Sequence, residues 1–359
     1  MSTNDPVLKL VRPEILALTP YSSARSEAKG LAANAATIWL DANENPETPS
    51  AGQPLLNRYP EPQPGELTGK LARLYSVPAR QLLVTRGSDE GIDLLLRAFC
   101  RAGRDAILTT PPTYGMYSVA AGIQDAQVIT VPLIREKDFA VDADAVIAAT
   151  GPMVKLVFLC SPNNPTGQLM DAGAVRKIAS ALLGRAVVVV DEAYLEFSGT
   201  NGFASEVDRI PNLIVLRTLS KAHGLAGARV GVTITSAAVI DVLRKIIAPY
   251  PIPAPVVQAA LAALTPAALA AATESVRTLV AERKRLAIAL RALPAVRHIW
   301  PSDANFLLVE VTDATRAMDA GRAACVIWRD RQRDVAGTIR ITVGTVDENN
   351  RTLEVMGRV

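Results

Sequence analysis

Three stretches of this chain, "VKLVFLC" at 154–160, "AVVVVD" at 186–191 and "NLIVLRTL" at 212–219, are nearly uninterrupted runs of apolar, mostly branched residues. Branched side chains favour extended backbone. A strand with one wet face alternates apolar and polar residues; these do not, so they suit a sheet covered on both faces. Segments of helical spacing lie among such runs. "EGIDLLLRAFC" precedes "DAILTT", a strand stopped by Pro111 and Pro112, and "AVRKIASALLG" ends at a helix-terminating Gly184. Strands alternating with helices imply parallel βαβ units.

The chain has 359 residues, of which 49% are hydrophobic. That length fits a large α/β domain with a mostly parallel sheet between helices, joined to a smaller α+β unit. The expected large domain is 36–249. The smaller unit takes 1–35, with an N-terminal arm and a short helix over 22–33, and 250–359, with strands in "NFLLVEV" and "GTIRITVG". The proline-dense "APYPIPAPV" marks the change, and a long helical stretch follows it to about Leu293.

The net charge is +3 and the basic residues are scattered, so no stripe for nucleic acid is expected. The first residues hold no long apolar run of a secretory signal. "LAALTPAALAAAT" carries Pro266 and two threonines and reads as a non-membrane helical region. Cys100, Cys160 and Cys325 are far apart, and only His223 and His298 represent histidine. Neither a disulfide framework nor a metal centre is expected, and the expected location is cytoplasmic.

Ligands of open parallel sheets bind beyond the C-terminal strand ends. The unusual polar residues collect there. Asn164 follows "VKLVFLC", and Asp191 and Tyr194 follow "AVVVV". Ser220 and Lys221 follow "NLIVLRTL", and Tyr114 follows "DAILTT". A lysine held at the end of a buried strand can lose its proton and act as a nucleophile. Pyridoxal phosphate needs this set: a lysine for its aldehyde, a carboxylate for its ring nitrogen, donors for its phenolic oxygen, an aromatic face and an anion site. Lys221 would hold the aldehyde and Asp191 the ring nitrogen. Asn164 and Tyr194 would hold the phenolic oxygen, and Tyr114 would stack on the ring. Arg229 and Ser220 would bind the phosphate with backbone N–H groups of Gly87, Ser88 and Asp89 in "RGSDEG", which opens a helix. The catalytic candidates are Lys221, Asp191 and Tyr194.

Rival readings exist for each segment. "VVVVDE" also resembles the magnesium-binding strand of a nucleotide-binding ATPase. That reading needs a phosphate loop, and "GELTGKL" fails the required spacing. "SPNNPTG" alone is an ordinary turn sequence and "RGSDEG" alone a helix cap.

"LDANENP", "RYPEPQP", "PTYGMY", "SPNNPTG", "DEAYLEF", "TLSKAHGLAGARVG", "SDANFLLVEV" and "IRITVGT" follow one another in this order. In them the chain resembles the fold type I pyridoxal-phosphate aminotransferases of class I/II, and among these the histidinol-phosphate aminotransferase family, over most of its length. His223 stands where relatives commonly place a phenylalanine, a ring of similar shape. The resemblance implies transfer of an amino group between L-histidinol phosphate and 2-oxoglutarate, yielding glutamate, in histidine biosynthesis. The alternative is an aromatic amino acid aminotransferase or a relative acting on another phosphorylated amine. It also implies that Arg340 and Arg329 hold the substrate's anionic group and that Tyr21 closes the substrate side. Tyr59 in "RYPEPQP" would reach the cofactor phosphate of a second subunit, making the protein a homodimer.

Overall fold

The computed structural model describes residues 5–21, 38, 40–47 and 56–359. The helix expected over 22–33 lies outside them. Seven strands build the larger sheet: β1 (Leu82–Thr85), β2 (Ala106–Thr109), β3 (Gln127–Thr130), β4 (Val154–Cys160), β5 (Val187–Asp191), β6 (Leu213–Thr218) and β7 (Gly231–Ile234). Their order is β1-β7-β6-β5-β4-β2-β3. Every pairing from β6 through β5, β4 and β2 to β3 is parallel, and β7 runs antiparallel to both β6 and β1.

The described helices are α1 (Pro13–Ala17), α2 (Gly65–Leu74), α3 (Gly87–Phe99), α4 (Met116–Ile123), α5 (Ala143–Ala149), α6 (Ala172–Ala181), α7 (Ala237–Arg244), α8 (Ala254–Ala263), α9 (Pro266–Arg291), α10 (Ala314–Ala323) and α11 (Val346–Met356). All five residues of β5 are buried. Val188 and Val190 point into a core shared with α2, α5, α6 and α8. Val187 and Val189 point into one shared with α3, α4 and α7. This two-sided burial is why the run in the sequence does not alternate. Each fully buried side chain contributes roughly 1.5–3 kcal/mol. Leu216→Ala, at a fully buried position on β6, costs roughly 2–5 kcal/mol.

A second, antiparallel sheet has the order β10-β11-β9-β8, from β8 (Val296–Ile299), β9 (Phe306–Val311), β10 (Arg329–Asp330) and β11 (Thr338–Thr342). It packs with α9, α10 and α11 around Leu286, Val309, Ile339 and Met356.

The N-terminal arm behaves differently from the smaller unit with which the sequence groups it. Val7 and Val11 are buried in the α3/α4/α7 side of the large core, and the Arg12 amide donates to the Ala98 carbonyl at 2.9 Å. The stretch after the proline cluster also lies on the large unit, since Ile252, Ala260 and Leu264 join its other core. The expected long helical region is two helices, α8 and α9, bent by 71°. Thr265 sits at the break and its hydroxyl accepts from the Ala268 amide, capping α9 just before Pro266. No single helix among the described residues is long and apolar enough to cross a membrane.

Candidate active site

The cleft lies at the C-terminal edge of β4, β5 and β6, where Tyr194, Phe197, Ala304 and Phe306 join the two units. Asn164, Asp191, Tyr194, Ser220, Lys221, Arg229, Tyr114, Ser88 and Asp89 all line it. Side chains separated by more than a hundred residues in sequence therefore meet because their strands end at one edge.

Asp191 ends β5 and is 2% exposed. Burial raises its pKa to about 6, against two donors that favour the carboxylate. These are the Tyr117 hydroxyl, 2.8 Å from Oδ2, and the Ala193 amide, 3.2 Å from Oδ1. Tyr117 is fully buried, stacks on Phe158 at 4.7 Å and meets the Tyr114 ring edge-on at 5.6 Å. It links the carboxylate to the aromatic wall. The sequence gives no local signal for it, since its partners Asp191 and Phe158 lie far along the chain.

Lys221 follows β6 at the mouth of the cleft. Its Nζ lies 5.3 Å from the centroid of the Tyr194 ring. The side chain is accessible from the cleft yet walled by protein. That surrounding lowers its pKa, and the positive charge of Arg340 lowers it further. Both effects favour the neutral amine. Burial raises the pKa of the Tyr194 phenol, keeping it protonated. Its oxygen faces Asn164, whose Nδ2 donates to it at 3.4 Å. His223, two residues after Lys221, is half-buried with an unpartnered Nδ1, and burial lowers its pKa.

One end of the cleft forms where β1 and β7 pair, with Thr85 opposite Gly231. Gly87 has φ +74°, and a Cβ there would lie 2.5 Å from Arg229 Nη2. A Cβ on Gly231 would lie 2.4 Å from the Gly87 carbonyl carbon. Only glycines let the two backbones and the guanidinium approach this closely. Arg229 donates to Ser220 Oγ at 3.2 Å and pairs with Asp89 Oδ2 at 3.1 Å. Asp89 Oδ1 accepts from the Tyr114 hydroxyl at 2.9 Å. The first N–H groups of α3 face outward here with the positive end of the helix dipole.

From the smaller sheet, Arg340 on β11 reaches across to donate to Asn164 Oδ1 at 2.5 Å. Arg331 points to the same oxygen at 3.4 Å. Arg329 sits opposite Arg340 in the β10–β11 ladder and is exposed. Tyr21 and Tyr59 do not line this cleft. Tyr21 is 75% exposed, and Tyr59 is 52% exposed and stacked on Tyr250 at 4.6 Å.

The loop under the site is braced by a buried charge cluster. Arg217 on β6 pairs with Glu192 at 3.1 Å and Glu196 at 2.9 Å, and lies over the Tyr75 ring. Burial lifts the Glu192 pKa to about 7, against the pull of Arg217.

Residues 29–356 match the model of the aminotransferase class I and II family. The chain is 47% identical to the histidinol-phosphate aminotransferase of Stenotrophomonas maltophilia, over 98% of this chain and 97% of that protein. It is 44% identical to the one from Cytophaga hutchinsonii, over 97% of each. Among solved structures, it resembles the histidinol-phosphate aminotransferase of Sinorhizobium meliloti in complex with pyridoxal-5'-phosphate. That match has a TM-score of 0.76 and 25% identity, and covers 84% of this chain and 82% of that one. The enzyme of that name from Clostridium acetobutylicum matches in fold, with a TM-score of 0.77 at 20% identity over 84% and 90% of the two chains.

Proposed function

Because this chain belongs to the class I and II aminotransferase family, we propose that it is a pyridoxal-phosphate-dependent transaminase. It exchanges amino groups between L-histidinol phosphate and 2-oxoglutarate, giving imidazole-acetol phosphate and L-glutamate. One observation carries this reading. A lysine with a lowered pKa, a carboxylate 2% exposed and a glycine-cradled arginine line one cleft.

That donor set fits the cofactor. Lys221 would hold its aldehyde and Asp191 its ring nitrogen. Asn164 and Tyr194 would hold its phenolic oxygen. Tyr114 would cover the ring, and Ser220, Arg229 and the backbone N–H groups of 87–89 would take the phosphate. Gly87 and Gly231 let the Arg229 guanidinium and the start of the helix close together at this end of the cleft, where a Cβ would collide with them. Bound there, pyridoxal phosphate supplies an electron sink for the pair left when the substrate Cα–H bond breaks.

The protein's own contribution is proton control and orientation. The protein walls of the cleft and the charge of Arg340 favour the neutral Lys221 amine, which can then accept the Cα proton. Asp191 carries the negative charge that favours a protonated ring nitrogen, and Tyr117 and Ala193 hold it in that state. Arg340 receives the substrate's anionic group through paired N–H donors.

The functional unit is a symmetric homodimer in which Tyr59 serves the neighbouring subunit's cofactor phosphate. The exposure of Tyr59 and its absence from the lining of its own chain's cleft support this arrangement.

Purified protein incubated with histidinol phosphate and 2-oxoglutarate should form glutamate, and omitting either substrate should abolish it. Glutamate formation from phenylalanine but not from histidinol phosphate would overturn the substrate assignment in favour of an aromatic aminotransferase.

A further inference from the structure

The inner face of α9 carries Val276, Leu279 and Val280 to the wall of the cleft, and Leu286 and Leu290 to the core of the smaller unit. Spacings of three and four make this the apolar stripe of a packed helix. Arg283 stands in the middle of the stripe and is 8% exposed. Among the described residues no carboxylate pairs with it, and its acceptors are two backbone carbonyls. Desolvation lowers its pKa, opposed by the charge of Asp303. A buried guanidinium without an ionic partner is costly, and an apolar side chain would fill the same place at less cost.

The two carbonyls come from opposite sides of the cleft wall. Arg283 Nη1 donates to the Ala304 oxygen at 2.6 Å, just ahead of β9. The same nitrogen reaches the Phe197 oxygen at 3.5 Å, in the short turn that follows Tyr194. Ser302 closes the bend between Ala304 and Phe306: its hydroxyl donates to the Phe306 carbonyl at 2.6 Å and accepts from the Ala304 amide at 3.2 Å. The Phe306 ring then meets Tyr194 edge-on at 5.1 Å, and Arg340 lies over it at 5.1 Å. We propose that Arg283 is a positioning residue: by tying the Phe197 and Ala304 carbonyls together behind the cleft, it seats Phe306 against Tyr194 and so sets the reach of Arg340. This rests on the transaminase reading above, which gives Arg340 the substrate's anionic group. Arg283 itself touches neither substrate nor cofactor. Apolar packing would hold the two segments together without fixing their direction, whereas charge-assisted hydrogen bonds to two carbonyls fix both.

The test uses holoenzymes of Arg283→Met, which keeps the length of the side chain and removes its donors, and of Arg283→Lys, which keeps the charge. Each is made alone and together with Arg340→Ala. Propyl phosphate, an anion with no amine, is titrated calorimetrically, and KM and kcat are measured for histidinol phosphate and glutamate. Arg283→Met should retain its cofactor and bind propyl phosphate about tenfold more weakly. KM for both substrates should rise about tenfold, with kcat changing less. In the Arg340→Ala background the same substitution should change KM by less than about twofold, because the group it positions is gone. Lysine should recover part of the affinity. A lowered unfolding midpoint with unchanged KM and propyl phosphate binding, or an equal rise in KM with and without Arg340, overturns the proposal. If the methionine variant does not fold, the lysine variant carries the same cycle and is judged by the same criteria. The titration separates two failures. Propyl phosphate binding that depends on both arginines, in a protein that does not turn over histidinol phosphate, would contradict the substrate assignment and leave the role of Arg283 standing.

Discussion

The Tyr117 hydroxyl lies 2.8 Å from Asp191 Oδ2, and both residues are buried at the floor of the cleft. A hydrogen bond to the ionised form stabilises it, so this bond opposes the desolvation that lifts the Asp191 pKa to about 6. Tyr117→Phe keeps the ring that stacks on Phe158 and removes only the donor. The folded-state pKa then rises, and the carboxylate is lost at a higher pH as the solution is acidified. The acid limb of cofactor affinity should therefore move upward, with affinity at pH 6 reduced roughly tenfold or more. Cofactor binding to the apoprotein, followed by fluorescence across pH 5–8, reads this. A parallel loss at every pH would mean that Tyr117 only packs.

Lys221→Ala should retain weak cofactor binding and lose transamination. Borohydride reduction of the wild-type holoenzyme should fix the cofactor to Lys221, and peptide mapping checks the position. A label on any other lysine removes the central assignment.

Asp191→Asn should leave the fold intact and lower turnover by roughly 10²–10³-fold, the scale of one lost electrostatic contact to the reacting system. The amide matches the carboxylate in shape but offers no negative charge to the ring nitrogen. Near-normal turnover would make Asp191 a structural residue.

Arg217 sits between Glu192 and Glu196 in the interior. Arg217→Met leaves two carboxylates without their cation, at a cost of roughly 3–5 kcal/mol when both are charged. The cost should be larger at pH 8 than at pH 6. Glu192, already raised to about 7, titrates higher still without the arginine and takes up a proton as the pH falls. Urea unfolding midpoints at the two pH values measure the difference, and an equal cost at both would exclude Glu192 as its source.

Lys221→Ala subunits mixed with Tyr59→Phe subunits test the composite site. If Tyr59 serves the neighbouring subunit, a mixed dimer holds one site with both defects and one with neither, and activity returns on exchange. If it serves its own subunit, both sites stay defective and mixing restores nothing.

The sequence was most legible where residue type is forced by local physics. The branched runs 187–190 and 213–216 announced a sheet buried on both faces, and the polar residues at the strand ends announced the cleft. The reversed direction of β7 was not legible, because "GVTI" is equally apolar in either direction. The packing of the N-terminal arm was not legible, because Val7 and Val11 are isolated apolar residues buried among side chains distant in sequence. Tyr117 escaped notice because its role comes from partners distant in sequence. Tyrosine beside methionine is not an unusual local pattern.

The antiparallel return of β7 beside β6, with Thr218 opposite Gly231, has a mechanical consequence. Lys221 and Arg229 belong to a single hairpin connection whose two feet are pinned in the large sheet. The spacing between the amine and this guanidinium is thus a built-in ruler, fixed by one short loop. Arg340 is mounted on the other sheet. Under the proposed assignments, grip on a resident molecule and grip on a visiting one fall to separate pieces of the scaffold, so the visitor can be let go while the resident stays clamped.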